Sequence, residues 1–180
     1  MVSQARHAGP TLAVRHILSA EHARLRELRL SALERNPEAF GSTYAGDAAQ
    51  PVAWWQRWAS ASEDGVSERT FVLVDSQDRW LGMAFARFRG EKPGVAWLGG
   101  MWTSPEARGR GAALRLCRAC IRWLTDRGAD ELMLTVVVGN DVALRAYETA
   151  GFVIRERTTH SYEGRTLDEF VMARAVRGSA

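Results

Sequence analysis

MWTSPEARGRGAALRLCRACIRWL, residues Met101 to Leu124, decides how this chain is read: an apolar run breaks into an arginine- and glycine-rich turn and resumes as an amphipathic helix. Gly109 and Gly111 carry no Cβ, so the backbone there can take conformations closed to other residues and bring its N–H groups close to a ligand. A helix start leaves about four N–H groups unpaired and carries roughly half a positive charge. Placed after a strand, such a turn can wrap a pyrophosphate, and Arg108 and Arg110 add charge-assisted donors beside it. It is not a Walker loop, because no Gly-Lys-Ser/Thr follows. Nor is it a dinucleotide fingerprint, because Leu114 stands where the third glycine would be.

Downstream, Ala113, Cys117, Cys120 and Leu124 share one helical face with Leu114 and Ile121 beside them, while Arg115, Arg118 and Arg122 take the other. Gly128 closes this helix. The run Glu131 to Val138 is β-branched and nearly continuously apolar, which predicts a buried strand, parallel to the one before the helix and joined to it right-handedly. Upstream, the period changes at Thr70. Three runs, TFVLVDS, WLGMAFARF and GVAWLGGMWT, read as a meander of antiparallel strands, the last two joined by the turn Gly90 to Gly94. Gly99-Gly100 within the third run predicts a bulge or a close approach of another backbone.

Working outward again, residues 1–10 read as a loose arm, 11–17 as a first strand, and 20–35 as a helix with Ser19 as its cap and Leu25, Leu28 and Ala32 on its apolar face. Asn36-Pro37 ends it, since the residue before proline is pushed out of helical geometry. PEAFGSTYAGD, Pro37 to Asp47, reads as a loop with Phe40 and Tyr44 to bury. A short helix opens at Pro51, and its Trp54, Trp55 and Trp58 read first as core and second as pocket wall. Beyond the parallel strand, Asn140 can cap a helix ending at Gly151 whose one face carries Asn140, Ala143, Tyr147 and Ala150. Phe152 to His160 reads as a strand, Tyr162 to Arg165 as its turn, Leu167 to Arg174 as the returning strand, and the last residues as frayed.

At 180 residues and 46% hydrophobic content the chain can bury one core without disulfide or metal staples, so a single domain spanning 1–180 is expected, with 1–10 and 176–180 as tails. Of its 24 basic residues all but Lys92 are arginine, dispersed along the sequence, and no nucleic-acid reading motif is present. That balance suits a small anionic ligand better than nucleic acid. Cys117 and Cys120 form a CxxC inside the helix pattern with no second ligand pair, which predicts buried core thiols and no metal site. No run approaches the ~18 apolar residues of a membrane span, and the first ten residues lack a signal peptide's apolar centre, so a cytosolic location is expected.

Two motifs, RGRGAA at Arg108 to Ala113 and NDVALRAYETAGF at Asn140 to Phe152, occur in order, joined by a helix and a strand. Together they resemble the GNAT superfamily of N-acetyltransferases, most directly over residues 95–160. The resemblance implies an α/β fold with a mixed sheet: about seven mostly antiparallel strands, one parallel splayed pair, and about four flanking helices. It implies acetyl-CoA as cosubstrate. The family's phosphate loop has the form Gln/Arg-x-x-Gly-x-Gly/Ala, and Arg108, Gly111 and Ala113 occupy its three places. The N–H groups of Gly109, Arg110, Gly111, Ala112, Ala113 and Leu114 would hold the pyrophosphate, Met101, Trp102 and Thr103 would pair with the pantetheine arm, and Asn140 would bond it. Tyr147 would be the general acid that protonates the departing thiolate, with an N–H of Trp102 or Thr103 stabilising the oxyanion.

Many relatives place an acidic residue in the strand before the phosphate loop, but Val95 to Thr103 contains none. The candidates for general base are Glu38, Asp168, Glu169 and His160, or a water relay. The Pro37–Asp47 loop is similar to the acceptor-side loop of some bacterial relatives, which implies that Phe40, Tyr44, Trp54 and Trp58 wall a pocket for a small amine with an apolar body. The leading expectation is acetylation of such an amine by direct attack in a ternary complex. Acetylation of protein amino groups and a CoA-binding sensor without transferase activity are the alternatives. Exposed strands near the C-terminus can pair between copies, so a homodimer is compatible with the sequence.

Overall fold

The computed structural model of the chain describes residues 11–89, 92–162 and 164–176. The expected N-terminal arm, the turn residues Gly90, Glu91 and Glu163, and the last four residues lie outside them. In chain order the elements are β1 (Ala13–His16), α1 (His22–Arg35), α2 (Tyr44–Ala48), α3 (Val52–Asp64), β2 (Glu68–Val74), β3 (Trp80–Phe88), β4 (Val95–Thr103), α4 (Ala112–Asp126), β5 (Glu131–Val137), α5 (Asp141–Thr149), β6 (Val153–Tyr162) and β7 (Arg165–Ala175). The seven strands form one mixed sheet in the order β1-β2-β3-β4-β5-β7-β6. Among the described residues only β4 and β5 are parallel, and four of the five helices exceed two turns.

Strand alternation sends side chains to two cores. On one face Leu132 and Leu134 of β5 and Met172 of β7 pack under Leu116, Cys117, Cys120 and Leu124 of α4. On the other, Val72 and Met83 pack under Leu25 and Leu33 of α1 and Trp55 of α3. Full burial of each such aliphatic side chain contributes about 2 kcal/mol. The two thiols are free and buried, as packing residues of α4. No helix among the described residues is long and apolar enough to cross a membrane.

Several boundaries differ from the sequence expectation for local reasons. The first strand is shorter than 11–17, and Ser19 opens a 3-10 turn, Ser19–Glu21, instead of capping α1. Glu21 organises that corner: its carboxylate accepts from Leu18 N–H at 2.9 Å and from both guanidinium arms of Arg15 at 2.7 and 2.8 Å. The expected loop 37–47 is partly helical, because Thr43 Oγ1 accepts from Gly46 N–H at 3.0 Å and starts α2. The β6–β7 hairpin is tighter than expected, with pairing from Val153↔Ala173 to Tyr162↔Arg165. Tyr162, read as a turn residue, is therefore the last residue of a strand.

The paired glycines of β4 meet their expectation in a specific way. Met83 pairs with Trp102 and Phe85 with Gly99, so Gly100 and Met101 together oppose Ala84, a bulge with Gly100 at φ +59°. A Cβ on Gly99 or on Gly100 would stand 2.6 Å from the Phe85 ring. The ring of the neighbouring strand takes the room that two side chains would need. Pairing of β4 with β5 covers only Val95↔Glu131, Ala96↔Leu132 and Trp97↔Met133. From Leu98 to Thr103 the β5-facing edge of β4 has no strand partner among the described residues, and the sheet opens into a slot.

Candidate active site

The slot is entered from two sides. On the first, β4 runs through the 3-10 turn Pro105–Ala107 to Gly109 at φ +72° and Gly111 at φ +70°, the residue that caps α4. Both are left-handed conformations that side-chain-bearing residues rarely adopt. A Cβ on either would meet nothing within 4 Å, so their backbone faces open space. The first bond within the helix is Arg115 N–H to Gly111 O at 3.0 Å, which leaves the N–H groups of Ala112, Ala113 and Leu114 without a helical partner. The turn is uncovered and presents these N–H groups at the positive end of a 15-residue helix, the chemistry that favours an anion.

Behind the turn lies a cavity of about 550 Å³, lined by Met101, Trp102, Thr103, Arg108 and Ala113 on one wall and by Asn140 and Tyr147 on the other. Gly109, Arg110, Gly111 and Ala112 form the turn itself and do not line this cavity. Arg108 donates to Asn36 Oδ1 at 3.1 Å, the same oxygen that accepts Trp102 Nε1–H at 3.1 Å. Asn36, read in sequence only as a helix end, thus ties the end of α1 to both β4 and the turn.

A second cavity, of about 580 Å³, lies on the α1 side of the opened sheet. Phe40, Phe85 and Trp97 give it aromatic walls, and His160, Tyr162 and Glu169 reach it from the β6–β7 hairpin. The two cavities share Ala39, Met101, Val137, Asn140, Ala143 and Tyr147. Asn140 and Tyr147 stand two helical turns apart on one face of α5, and both are at the junction. Asn140 Oδ1 accepts Ala143 N–H at 3.2 Å, which caps α5 and orients the amide. Tyr147 is buried, and among the described residues nothing hydrogen-bonds its hydroxyl. Burial pushes its phenol well above the usual value of 10, so the group stays protonated at neutral pH.

Of the four groups considered as base, Glu169 and His160 line the second cavity and Glu38 lines the first. Asp168 points elsewhere, held by Arg157 and Thr159 at 2.7 Å each. Glu169 is buried and accepts Tyr162 O–H at 2.9 Å. Burial first, and that bond second, push the Tyr162 phenol up to about 12.

The aromatic residues expected to wall the acceptor side are distributed unevenly. Phe40 is in the second cavity, but Tyr44 is 46% exposed and lines neither cavity. Trp54 and Trp58 line a third cavity of about 500 Å³, which shares Arg29, Ser42 and Phe85 with the second. They pack on each other with centroids 5.2 Å apart, and Trp58 Nε1–H donates to Thr70 Oγ1 at 3.0 Å. Arg29 lines both the second and third cavities and was overlooked in sequence. Its signal was a cation inside the apolar stripe of α1, four residues after Leu25 and four before Leu33.

The sequence profile described as the acetyltransferase (GNAT) family matches residues 24–152. The chain belongs to that acetyltransferase family. Solved structures agree in fold. A GNAT-family acetyltransferase from Streptococcus pneumoniae superposes with a TM-score of 0.78 at 19% identity, covering 93% of this chain and 100% of its own. A GNAT superfamily phosphinothricin acetyltransferase from Sinorhizobium meliloti, in complex with acetyl-CoA, gives 0.75 at 19%, over 92% and 88%. Spermidine N-acetyltransferase from Vibrio cholerae, in complex with CoA and spermine, gives 0.72 at 19%, over 91% and 95%. Comparison with curated protein sequences returns no match.

Proposed function

We propose that the chain transfers an acetyl group from acetyl-CoA to the amine of a small molecule by direct attack within a ternary complex. The observation that carries this reading is the position of Tyr147, at the place where the two cavities meet. Acetyl-CoA, the cosubstrate of the family, supplies an acyl group already activated as a thioester. The N–H groups from Gly109 to Leu114, with Arg108, hold its pyrophosphate. The open edge of β4 from Leu98 to Thr103 and the amide of Asn140 hold its pantetheine arm. An N–H on that edge also receives the negative charge that develops on the acyl oxygen.

On the acceptor side Glu169 takes a proton from the ammonium, since an alkylammonium with a pKa near 10 is otherwise unreactive. The nitrogen lone pair then forms the C–N bond, and the C–S bond breaks with its bonding pair going to sulfur. Tyr147 donates its phenolic proton to that sulfur, and the second proton shed by the nitrogen restores the phenol, leaving a neutral amide and a free thiol. The phenol is protonated at neutral pH, so its proton is present when the thiolate forms. Tyr162 holds the Glu169 carboxylate in one orientation.

The test is Tyr147→Phe. Loss of a general acid lowers kcat by about a hundredfold. Acetyl-CoA affinity, measured by calorimetry, stays within about twofold, as expected for an interaction confined to the transition state. An unchanged kcat removes Tyr147 from its role. Comparable acetylation of peptide N-termini or lysines would shift the reading to a protein acetyltransferase. Tight acetyl-CoA binding with no thiol release from any amine would mark a sensor.

A further inference from the structure

The acceptor cavity presents two charges of opposite sign that the protein leaves incompletely answered. Glu169, 4% exposed, has the Tyr162 hydroxyl as its one hydrogen-bond partner and makes no ion pair among the described residues. A carboxylate buried without a cation is costly unless a ligand supplies one. The other charge is Arg29, 7% exposed. Its Nε donates to Asp47 at 2.9 Å and its Nη2 to Ser42 Oγ at 2.5 Å, while Nη1 is buried with no hydrogen-bond partner among the described residues. The guanidinium lies over the Phe40 ring at 4.8 Å, and Nη1 is 3.7 Å from where a Cβ of Gly100 would stand. Phe40 and Gly100 both line the cavity.

Arg29 forms an ion pair with Asp47, and Arg89 adds a further cation to the cavity. Arg89 stands over Trp97 at 5.0 Å on the same cavity. Beyond Phe85, Arg87 lies 4.0 Å from that ring with its Nε also buried and unpartnered. Glu169 is the one carboxylate among the residues that line the acceptor cavity, against Arg29 and Arg89. A polyamine carries several ammonium groups and needs a carboxylate for each. This cavity answers one ammonium and leaves an N–H donor over.

We infer that the acceptor is an amine that also bears an anionic group, a zwitterion of amino-acid type, whose nitrogen meets Glu169 and whose carboxylate meets Arg29. The inference rests on the transferase reading above and narrows its substrate. The aromatic walls and a volume of about 580 Å³ accommodate a side chain in addition to the two charges.

Thiol release with matched acceptors tests it on the unaltered protein: phenylalanine against phenethylamine, alanine against ethylamine, and spermidine as the polyamine. Each amino acid is expected to exceed its decarboxylated partner, and spermidine, by at least about tenfold in kcat/KM, the scale of one hydrogen bond to a charged group. Equal or better turnover of the uncharged-tail amines or of spermidine overturns the inference and leaves the transferase reading standing. Release from no acceptor, with acetyl-CoA bound, overturns the transferase reading and this inference with it. Arg29 also joins α1 to α2 through Asp47 and Ser42, so the unaltered protein is measured first. Arg29→Gln, checked for a native melting transition, is then expected to bring the ratio near one with acetyl-CoA affinity unchanged, while Arg29→Lys retains part of it. A ratio unmoved in a folded Arg29→Gln protein overturns the assignment to Arg29.

Discussion

The two sides of the slot between β4 and β5 are built on different principles. On the side proposed for the donor, the N–H groups of the glycine turn, two glycines at positive φ, Arg108 and Asn140 lie in the stretch from β4 to α5, and Asn36 and Glu38 are the parts added from the end of α1. The acceptor side is a side-chain site, assembled from α1, the 40–42 loop, β3, β6 and β7, with its charges set by Arg29 and Glu169. A backbone site is preserved by any residue that leaves the chain path intact. A side-chain site changes its ligand with single substitutions while the sheet stays the same. The phosphinothricin and spermidine acetyltransferases that share this fold act on very different amines.

The largest expected break of this contrast comes from Glu169→Gln. Removing the base while keeping shape lowers kcat/KM by about 10²-fold or more with acetyl-CoA affinity preserved, which steady-state kinetics and calorimetry measure together. Next is Gly100→Ala, which puts a methyl 2.6 Å from the Phe85 ring at φ +59°. It should cost about 2–3 kcal/mol in urea unfolding, and Phe85→Leu in the same chain should recover part of that. Gly111→Ala should cost only about 1–2 kcal/mol, the left-handed penalty alone, because nothing lies within 4 Å of the new methyl. Its effect falls on acetyl-CoA affinity, so the same change from glycine to alanine separates the two sides.

A pH experiment gives the smallest and most diffuse effect. Burial pushes Cys117 up to about 12 and raises Cys120 and Tyr147 as well. Groups raised by folding ionise first in the unfolded chain. The stability they support is therefore complete below about pH 8 and declines as pH rises from there toward 12. The urea midpoint should fall between pH 8.5 and about 10, and both thiols should resist iodoacetamide at pH 8 until the chain unfolds. The deficit of Tyr147→Phe should be the same at pH 6.5 and about 9, since the phenol is protonated throughout that range.

How much of the molecule was legible in its sequence follows the same division. Gly109, Gly111, Asn140 and Tyr147 announce themselves because local chemistry needs those residue types at those spacings. The meander, the parallel pair and the bulge at Gly99-Gly100 could be read from period and punctuation. The acceptor side could not, because no local pattern brings Arg29 toward Gly100, 71 positions away. Tyr162 was hidden by turn-forming neighbours, although it ends a strand and bonds Glu169. Trp54 and Trp58, expected as a ligand wall, line the third cavity, packed on each other and bonded to Thr70. Ser19 failed as a cap because Glu21 offered a stronger acceptor two residues on.

The hairpin that carries Tyr162 also closes on the loop from α1 to α2. The Arg165 guanidinium donates to Pro37 O at 3.0 and 3.1 Å and to Phe40 O at 2.6 Å, across 128 and 125 positions of chain. At Gly41 a Cβ would stand 2.9 Å from the Tyr162 ring. During synthesis from the N-terminus, the glycine turn, α4 and α5 are all available before this hairpin has been made. The acceptor wall has to wait for nearly the last residues, and its loop-closure entropy is then among the largest in the fold. In a nascent chain of this protein the residues of the glycine turn, α4 and α5 are therefore made before the hairpin that completes the wall of the second cavity.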